Sequence, residues 1–199
     1  SFDNDPDNPV VGQLWYNETA AEFRYQEEAY GSAWSAVAPV NTGRALPGGA
    51  GTQTAAIVFT GEGTANTELF DGSSWTEVNN VNTARQIFQG NAGTQTSALG
   101  FGGYDGTNSV TVTESWDGTN WTEVNDMNTA RFNIAGFGAD STSALGSGGI
   151  ASTGRVGVTE SWNGTSWTEV NDLNTSRGQA GGAGIATAGL VFGGENPGT

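Results

Sequence analysis

The sequence predicts an all-β fold, a β-propeller built from four-stranded antiparallel blades of about 41–46 residues. Three observations lead there. The first is a tandem repeat: WDGTNWTEVNDMNTAR (Trp116–Arg131) returns as WNGTSWTEVNDLNTSR (Trp162–Arg177) with four of sixteen positions changed. Earlier copies end at Arg85 (FDGSSWTEVNNVNTAR) and, more faintly, at Arg44 (AYGSAWSAVAPVNTGR). The second is the period, since Trp34, Trp75, Trp121 and Trp167 lie 41, 46 and 46 residues apart. The third is composition: 35% hydrophobic residues and 32 glycines suit many thin sheets with tight turns better than one thick core.

Taken in chain order, residues 1–9 are rich in Asp, Asn and Pro and read as an entry linker, with residues 10–199 forming the repeats. Residues 10–44 form a partial blade. GQLWYN (Gly12–Asn17) falls on its second strand, and an ungapped alignment sets Phe23, Tyr25, Glu27 and Trp34 on Val110, Val112, Glu114 and Trp121. Full blades follow at 45–85, 86–131 and 132–177, and a partial one at 178–199. In the copy from Phe132 to Arg177 the four strands, A to D, are NIAGFGA, SALGSGG, VGVTESW and WTEVNDL. Asp117-Gly118 and Asn163-Gly164 are hairpin signals, because both residue types tolerate positive φ. IASTGR (Ile150–Arg155) reads as a variable loop, and no segment keeps helical periodicity. Two closures fit: the last A strand completes the first blade, giving four blades, or a longer chain continues into a larger ring. The chain stops in mid-repeat, so it is expected to be part of something longer.

Alternation along VTVTESW puts Val110, Val112, Glu114 and Trp116 on one face. A carboxylate on an apolar face needs a partner. Arg44, Arg85, Arg131 and Arg177 each lie 17 residues after Glu27, Glu68, Glu114 and Glu160. Arg grips carboxylates with two parallel hydrogen bonds, which suggests a repeated Glu–Arg clamp, within a blade or between neighbours. The other reading is a ring of arginines around a channel, able to receive a carboxylate or a sulfated sugar. A residue repeated in phase in every unit usually builds the unit, which favours the clamp. The variable loops Gly103–Ser109 and Ile150–Arg155 offer Tyr104, Asp105, Asn108 and Arg155 as candidate sugar-binding groups.

The net charge is −15, with no Lys, His or Cys. That argues against nucleic acid and anionic membranes as partners and removes the commonest general base and most metal ligands. No run approaches the ~20 apolar residues of a spanning helix. The aspartates lack calcium-loop spacing, and the GxGxxG-like strings sit in turns between strands, so no cofactor is expected. A carboxylate-pair glycosidase would need a unique acid pair, whereas these glutamates recur in every unit, so no enzymatic activity is expected.

The glycine pair ending strand B and the Trp opening strand D resemble kelch-type β-propeller repeats across residues 10–199. GTQTAAIVFTGEG, GTQTSALGFGG and TESWDGTNWTEVNDMNTAR are similar to repeat arrays of tailed, marine-type phage virion proteins. NPVVGQLWYNETAAEFRYQ (Asn8–Gln26) looks like a module of phage tail fibres. The resemblance implies a non-enzymatic component of a tail fibre or other appendage on the virion surface. Its partners would be other virion proteins and a host glycan or protein receptor, and it would form a homo-oligomer, as trimers do in fibres. A capsid decoration protein and a cellular or secreted protein-binding scaffold are the alternatives.

Overall fold

A computed structural model of the chain describes residues 14–25, 36–87 and 89–196. Its contacts divide the chain into two units, Ser1–Ala36 and Val37–Thr199.

In the first unit, β1 (Leu14–Asn17) and β2 (Glu22–Tyr25) form an antiparallel hairpin. The Asn17 side-chain oxygen accepts the Ala20 N–H at 2.8 Å and Ala21 takes a positive φ, which closes the turn. Tyr16 and Phe23 stack edge to face at 5.1 Å. β2 covers positions that align with Ser109–Val112, which lie outside the corresponding strand of the later copy, so this hairpin uses a pairing of its own. Glu27 and Trp34 lie outside the described residues.

The second unit holds three four-stranded antiparallel sheets in A-B-C-D order. The first is β3 (Gly48–Thr52), β4 (Ala55–Phe59), β5 (Thr67–Phe70) and β6 (Trp75–Val78). The second is β7 (Asn91–Thr94), β8 (Ser97–Phe101), β9 (Thr113–Trp116) and β10 (Trp121–Val124). The third takes β11 (Ala135–Asp140) and β12 (Ser143–Ser147), then β15 (Thr159–Trp162) and β16 (Trp167–Val170). Between its B and C strands the expected variable loop folds as a small hairpin, β13 (Ile150–Ala151) with β14 (Gly154–Arg155). A last hairpin, β17 (Gly181–Ile185) and β18 (Ala188–Phe192), has only A and B strands.

The fold is all-β with repeated four-stranded sheets, but it is not a propeller. The A strands neighbour one another in the order β3, β7, β11, β17, and among the described residues no strand pairing returns β17 or β18 to the first sheet. The repeat pattern encodes each sheet and its seat on the next. Closure depends on the rotation accumulated between sheets and on their number, which no residue of the pattern specifies.

The A–B turns are tight enough to demand glycine. At Gly93, φ is +109° and an added Cβ would lie 2.2 Å from the Ser97 carbonyl oxygen; Gly51 repeats this against Ala55. The core lies between sheets. One cluster joins Ile57 and Phe59 of the first sheet to Ala98, Trp116 and Trp121 of the second. Another joins Leu99 and Phe101 of the second to Ala144, Trp162 and Trp167 of the third. Phe59 meets Trp121 at 4.6 Å, and Phe101 meets Trp167 at 4.8 Å. Trp121 Nε1 donates to Thr67 Oγ1 and Trp167 Nε1 to Thr113 Oγ1, both at 3.0 Å. Trp121 and Trp167 therefore each reach back to the preceding sheet with both ring and N–H.

Trp121→Ala is expected to cost about 3–5 kcal/mol, because it opens a cavity between two sheets. Trp121→Phe keeps most of the ring and leaves the Thr67 hydroxyl without its donor, a loss of about 1 kcal/mol. Urea unfolding of both variants checks the order.

Candidate functional site

The repeated Asn-Thr-x-Arg segment places a guanidinium at the junction of each sheet with the next. Arg44 pairs with Glu68, Arg85 Nη1 with Glu114 Oε1 at 2.5 Å, and Arg131 Nη2 with Glu160 Oε1 at 3.1 Å. All six side chains are buried. Each arginine thus takes the C-strand glutamate of the following unit, not the one 17 residues before it in its own unit. Of the residues singled out in the sequence, Arg44, Glu68, Arg85, Glu114, Arg131 and Glu160 are brought together in this way.

The same segment completes the carboxylate's shell through its backbone. Asn82 N–H and Nδ2 donate to Glu114 Oε2 at 2.7 and 2.8 Å, and Thr83 N–H donates to Oε1 at 3.2 Å. Asn128 and Thr129 do the same for Glu160, and the Asn41 and Thr42 N–H groups for Glu68. The buried charge is therefore hydrogen-bonded from several sides, the condition under which an interior ion pair is tolerated. Arg85 also donates to the carbonyls of Gly102 (2.9 Å), Thr83 (2.9 Å) and Gly100 (3.3 Å). Burial pushes the Arg85 guanidinium below its usual range, and its hydrogen bond and proximity to Glu114 work in the opposite sense. Burial lowers Arg131 likewise, opposed first by Glu160. No sugar or carboxylate ligand reaches these groups without displacing the clamp.

Arg177 differs. It is half-buried, and Nη1 donates to the Gly193 carbonyl at 2.7 Å. Among the described residues no carboxylate pairs with it.

The loops between B and C strands line one edge of the array. The residues right after Arg85, Arg131 and Arg177 bridge to the following loop: Gln86 with Tyr104, Phe132 with Ile150, and Gly178 with Glu195. That position was not singled out in the sequence, although its place next to the invariant Arg of the repeat marks it. Tyr104 is packed against Phe132, ring centres 5.3 Å apart, and so is not a free stacking platform. Asp105 is exposed, and its Oδ1 accepts the Thr107 and Asn108 N–H groups at 2.7 Å each. Asn108 is exposed beside it. Arg155 sits on β14 and pairs with Glu195. The candidate loop residues thus occupy neighbouring loops, joined through Phe132, rather than a shared cavity. Among the described residues no three acidic side chains gather as a metal site.

Asp117 and Asp140 hold turns of the same kind as Asp105, accepting at 2.7–2.8 Å from backbone N–H groups. These hydrogen bonds hold the Asp105 and Asp117 carboxyls below the ordinary value, as a side-chain bond from Thr142 chiefly does for Asp140.

No family model matches the chain, and no curated protein matches it significantly. The expected kinship with kelch repeats and phage virion arrays is corrected accordingly. The shared features, glycine pairs, Asn/Asp-Gly turns and a strand-opening Trp, are what any tightly turned four-stranded β-repeat requires.

Two predictions follow from this geometry. Glu114→Gln leaves Arg85 as an uncompensated buried charge and is expected to destabilise the fold by about 3–5 kcal/mol, whereas Glu123→Gln, on the exposed D strand, stays within about 0.5 kcal/mol. Equilibrium unfolding of the two variants tests this. The turn aspartates have lowered folded-state values, so their contribution is present above the unfolded value and lost as pH falls through the folded one. Asn163 holds the matching turn of the next unit without a charge, accepting at 2.9 Å from Thr165 and Ser166. Asp117→Asn is therefore expected to melt like the parent near neutral pH and to lose less stability on acidification to about pH 3.

Proposed function

We propose that this chain is a non-enzymatic structural protein of an extracellular particle, such as a virion appendage, which presents its B–C loop edge for attachment to a surface glycan. The observation that carries the reading is the joining of successive sheets by buried Arg–Glu clamps and shared aromatic cores. Sheets locked this way act as one stiff body, which suits a load-bearing, exposed component. The framework is nearly copied from unit to unit, while the B–C loops vary in sequence and length and carry exposed polar groups. A constant scaffold with variable loops is the usual arrangement of a recognition surface. The buried state of Arg85 and Arg131 and the net charge of −15 favour a neutral sugar over a sulfated one.

Binding of the purified chain to an array of neutral and sulfated glycans tests this. Retention on a neutral glycan is expected, weakened at least about tenfold in the Asn108→Ala/Arg155→Ala variant with melting unchanged. No retention on any glycan, or equal binding by the variant, overturns the attachment role. Immunogold labelling of particles tests the location, which is discarded if none carries the chain.

A further inference from the structure

The turns that join C to D strands share one design. In Asp71–Ser74, Asp117–Asn120 and Asn163–Ser166 the first residue's Oδ1 accepts the N–H groups two and three positions on, at 2.7–2.9 Å. Glycine follows it each time, with φ of +95°, +96° and +89°. Two of these turns carry Asp and the third carries Asn, and that single change alters the chemistry available. The Ser74 and Ser73 N–H groups hold the Asp71 carboxyl well below its ordinary value, as those of Asn120 and Thr119 hold Asp117 below it. An ionised carboxylate resists a nucleophile, whereas an amide carbonyl does not. At Asn163 the two N–H bonds to Oδ1 polarise Cγ in the way oxyanion donors do. Asn163 and Gly164 are both exposed. Among the described residues neither Asn163 Nδ2 nor the Gly164 N–H is held in a hydrogen bond, so leaving group and nucleophile are free. From the preceding sheet, Asn125 Nδ2 donates to the Thr165 carbonyl at 2.7 Å and keeps the turn in place.

We propose that Asn163 is a self-modification site, at which the Gly164 main-chain nitrogen displaces the side-chain amide and water completes the conversion to aspartate. Hydroxide takes the Gly164 N–H proton, and the nitrogen lone pair forms a bond to Cγ. The Cγ–Nδ2 bond breaks and ammonia leaves, carrying a proton from water. The resulting succinimide is opened by water at Cγ: the bond from Cγ to the Gly164 nitrogen breaks, and that nitrogen regains its proton. Overall, amide and water become carboxylate and ammonium, with one new oxygen from water. The turn selects the product. The N–H bonds to Oδ1 direct water to Cγ, and the new carboxylate meets the same two donors that Asp117 meets in Thr119 and Asn120. Opening at the main-chain carbonyl instead gives isoaspartate, which adds a carbon to the backbone between Trp162 and Trp167. These two residues pair across the hairpin with their rings 5.5 Å apart, so the fold disfavours that lengthening. Conversion adds one negative charge to a row of turns that is anionic in the two preceding units. These turns lie at the end of each sheet opposite the B–C loops, so the inference is independent of the glycan reading.

The test is to hold the purified, folded chain in mildly alkaline buffer made with heavy-oxygen water, then to map its peptides by mass spectrometry. One heavy oxygen is expected in the side chain of residue 163, at a rate that rises with hydroxide. Conversion there should be at least about tenfold faster than at Asn108 and Asn120, which are exposed but precede Ser and Trp. The aged chain should elute from an ion exchanger with the Asn163→Asp variant and melt with it, and that variant should take up no label at the position. Asp117→Asn places the same amide before Gly118 in the matching turn and is expected to gain a second converting site. Residue 163 remaining asparagine, conversion no faster than at Asn108 and Asn120, isoaspartate as the main product, or an inert Asp117→Asn turn overturns the proposal.

Discussion

The structure depends on one interaction, the buried ion pair between an arginine that ends one repeat and a glutamate inside the next. Its geometry explains why the Asn-Thr-x-Arg segment is so nearly constant. Arg supplies the countercharge, Asn and Thr supply backbone donors, and together they leave few lone pairs of the carboxylate empty. A charge so enclosed does not stabilise by its Coulomb attraction alone, because desolvating both ions offsets much of it. Its effect is on register. Only one seating of a sheet on its neighbour delivers Glu114 to Arg85 while placing Trp121 over Phe59. A slip of one residue would expose the charge and bury the opposite face of the strand.

The clamp and the aromatic contact divide the work between them. Trp121 and Trp167 supply apolar area where each sheet is thin, with five-residue B strands and four-residue C and D strands. The ion pair supplies direction. A composition poor in apolar residues is sufficient because no sheet has to carry a core alone: the same side chains are core to two sheets at once. The glycines serve the same economy of space. A Cβ on Gly100 would lie 2.7 Å from Phe59 of the preceding sheet, so the missing side chain is the room into which the neighbour's ring fits.

Much of this was legible in the sequence, and the unread part has a common cause. Alternation along Thr-Glu-Ser-Trp, the Asn/Asp-Gly turns and the Trp spacing located strands and hairpins, because those signals are local. The 17-residue Glu–Arg interval marked eight residues, of which the structure pairs Arg44, Glu68, Arg85, Glu114, Arg131 and Glu160, and left open whether each pair lies within a unit or across units. In the folded chain it lies across, since Arg leaves the D strand pointing to the next sheet. Val156–Val158 read as strand but leave the ladder, their backbone bonded instead to Arg177, Leu173 and Gly148. The closed propeller was an inference from the repeat, its period and the composition, and none of these says anything of the angle between sheets. Tyr104 read as a candidate sugar-binding group because its loop varies and is polar; in the structure its half-buried ring packs against Phe132, one residue past the arginine of the same repeat.

Positions that repeat and positions that do not carry different information about function. Residues present in every unit are consumed by the unit: Arg85 and Arg131 are buried against Glu114 and Glu160, out of reach of a diffusing carboxylate, and the turn aspartates are satisfied by their own loops. A recognition role must therefore fall on positions that break the repeat. The B–C loops break it in sequence, with Asp105 and Asn108 in one unit and the β13–β14 hairpin in the next. In an array whose parts are otherwise locked to one another, the exposed polar groups that break the repeat among the described residues gather on these loops, and contacts with other molecules are expected there.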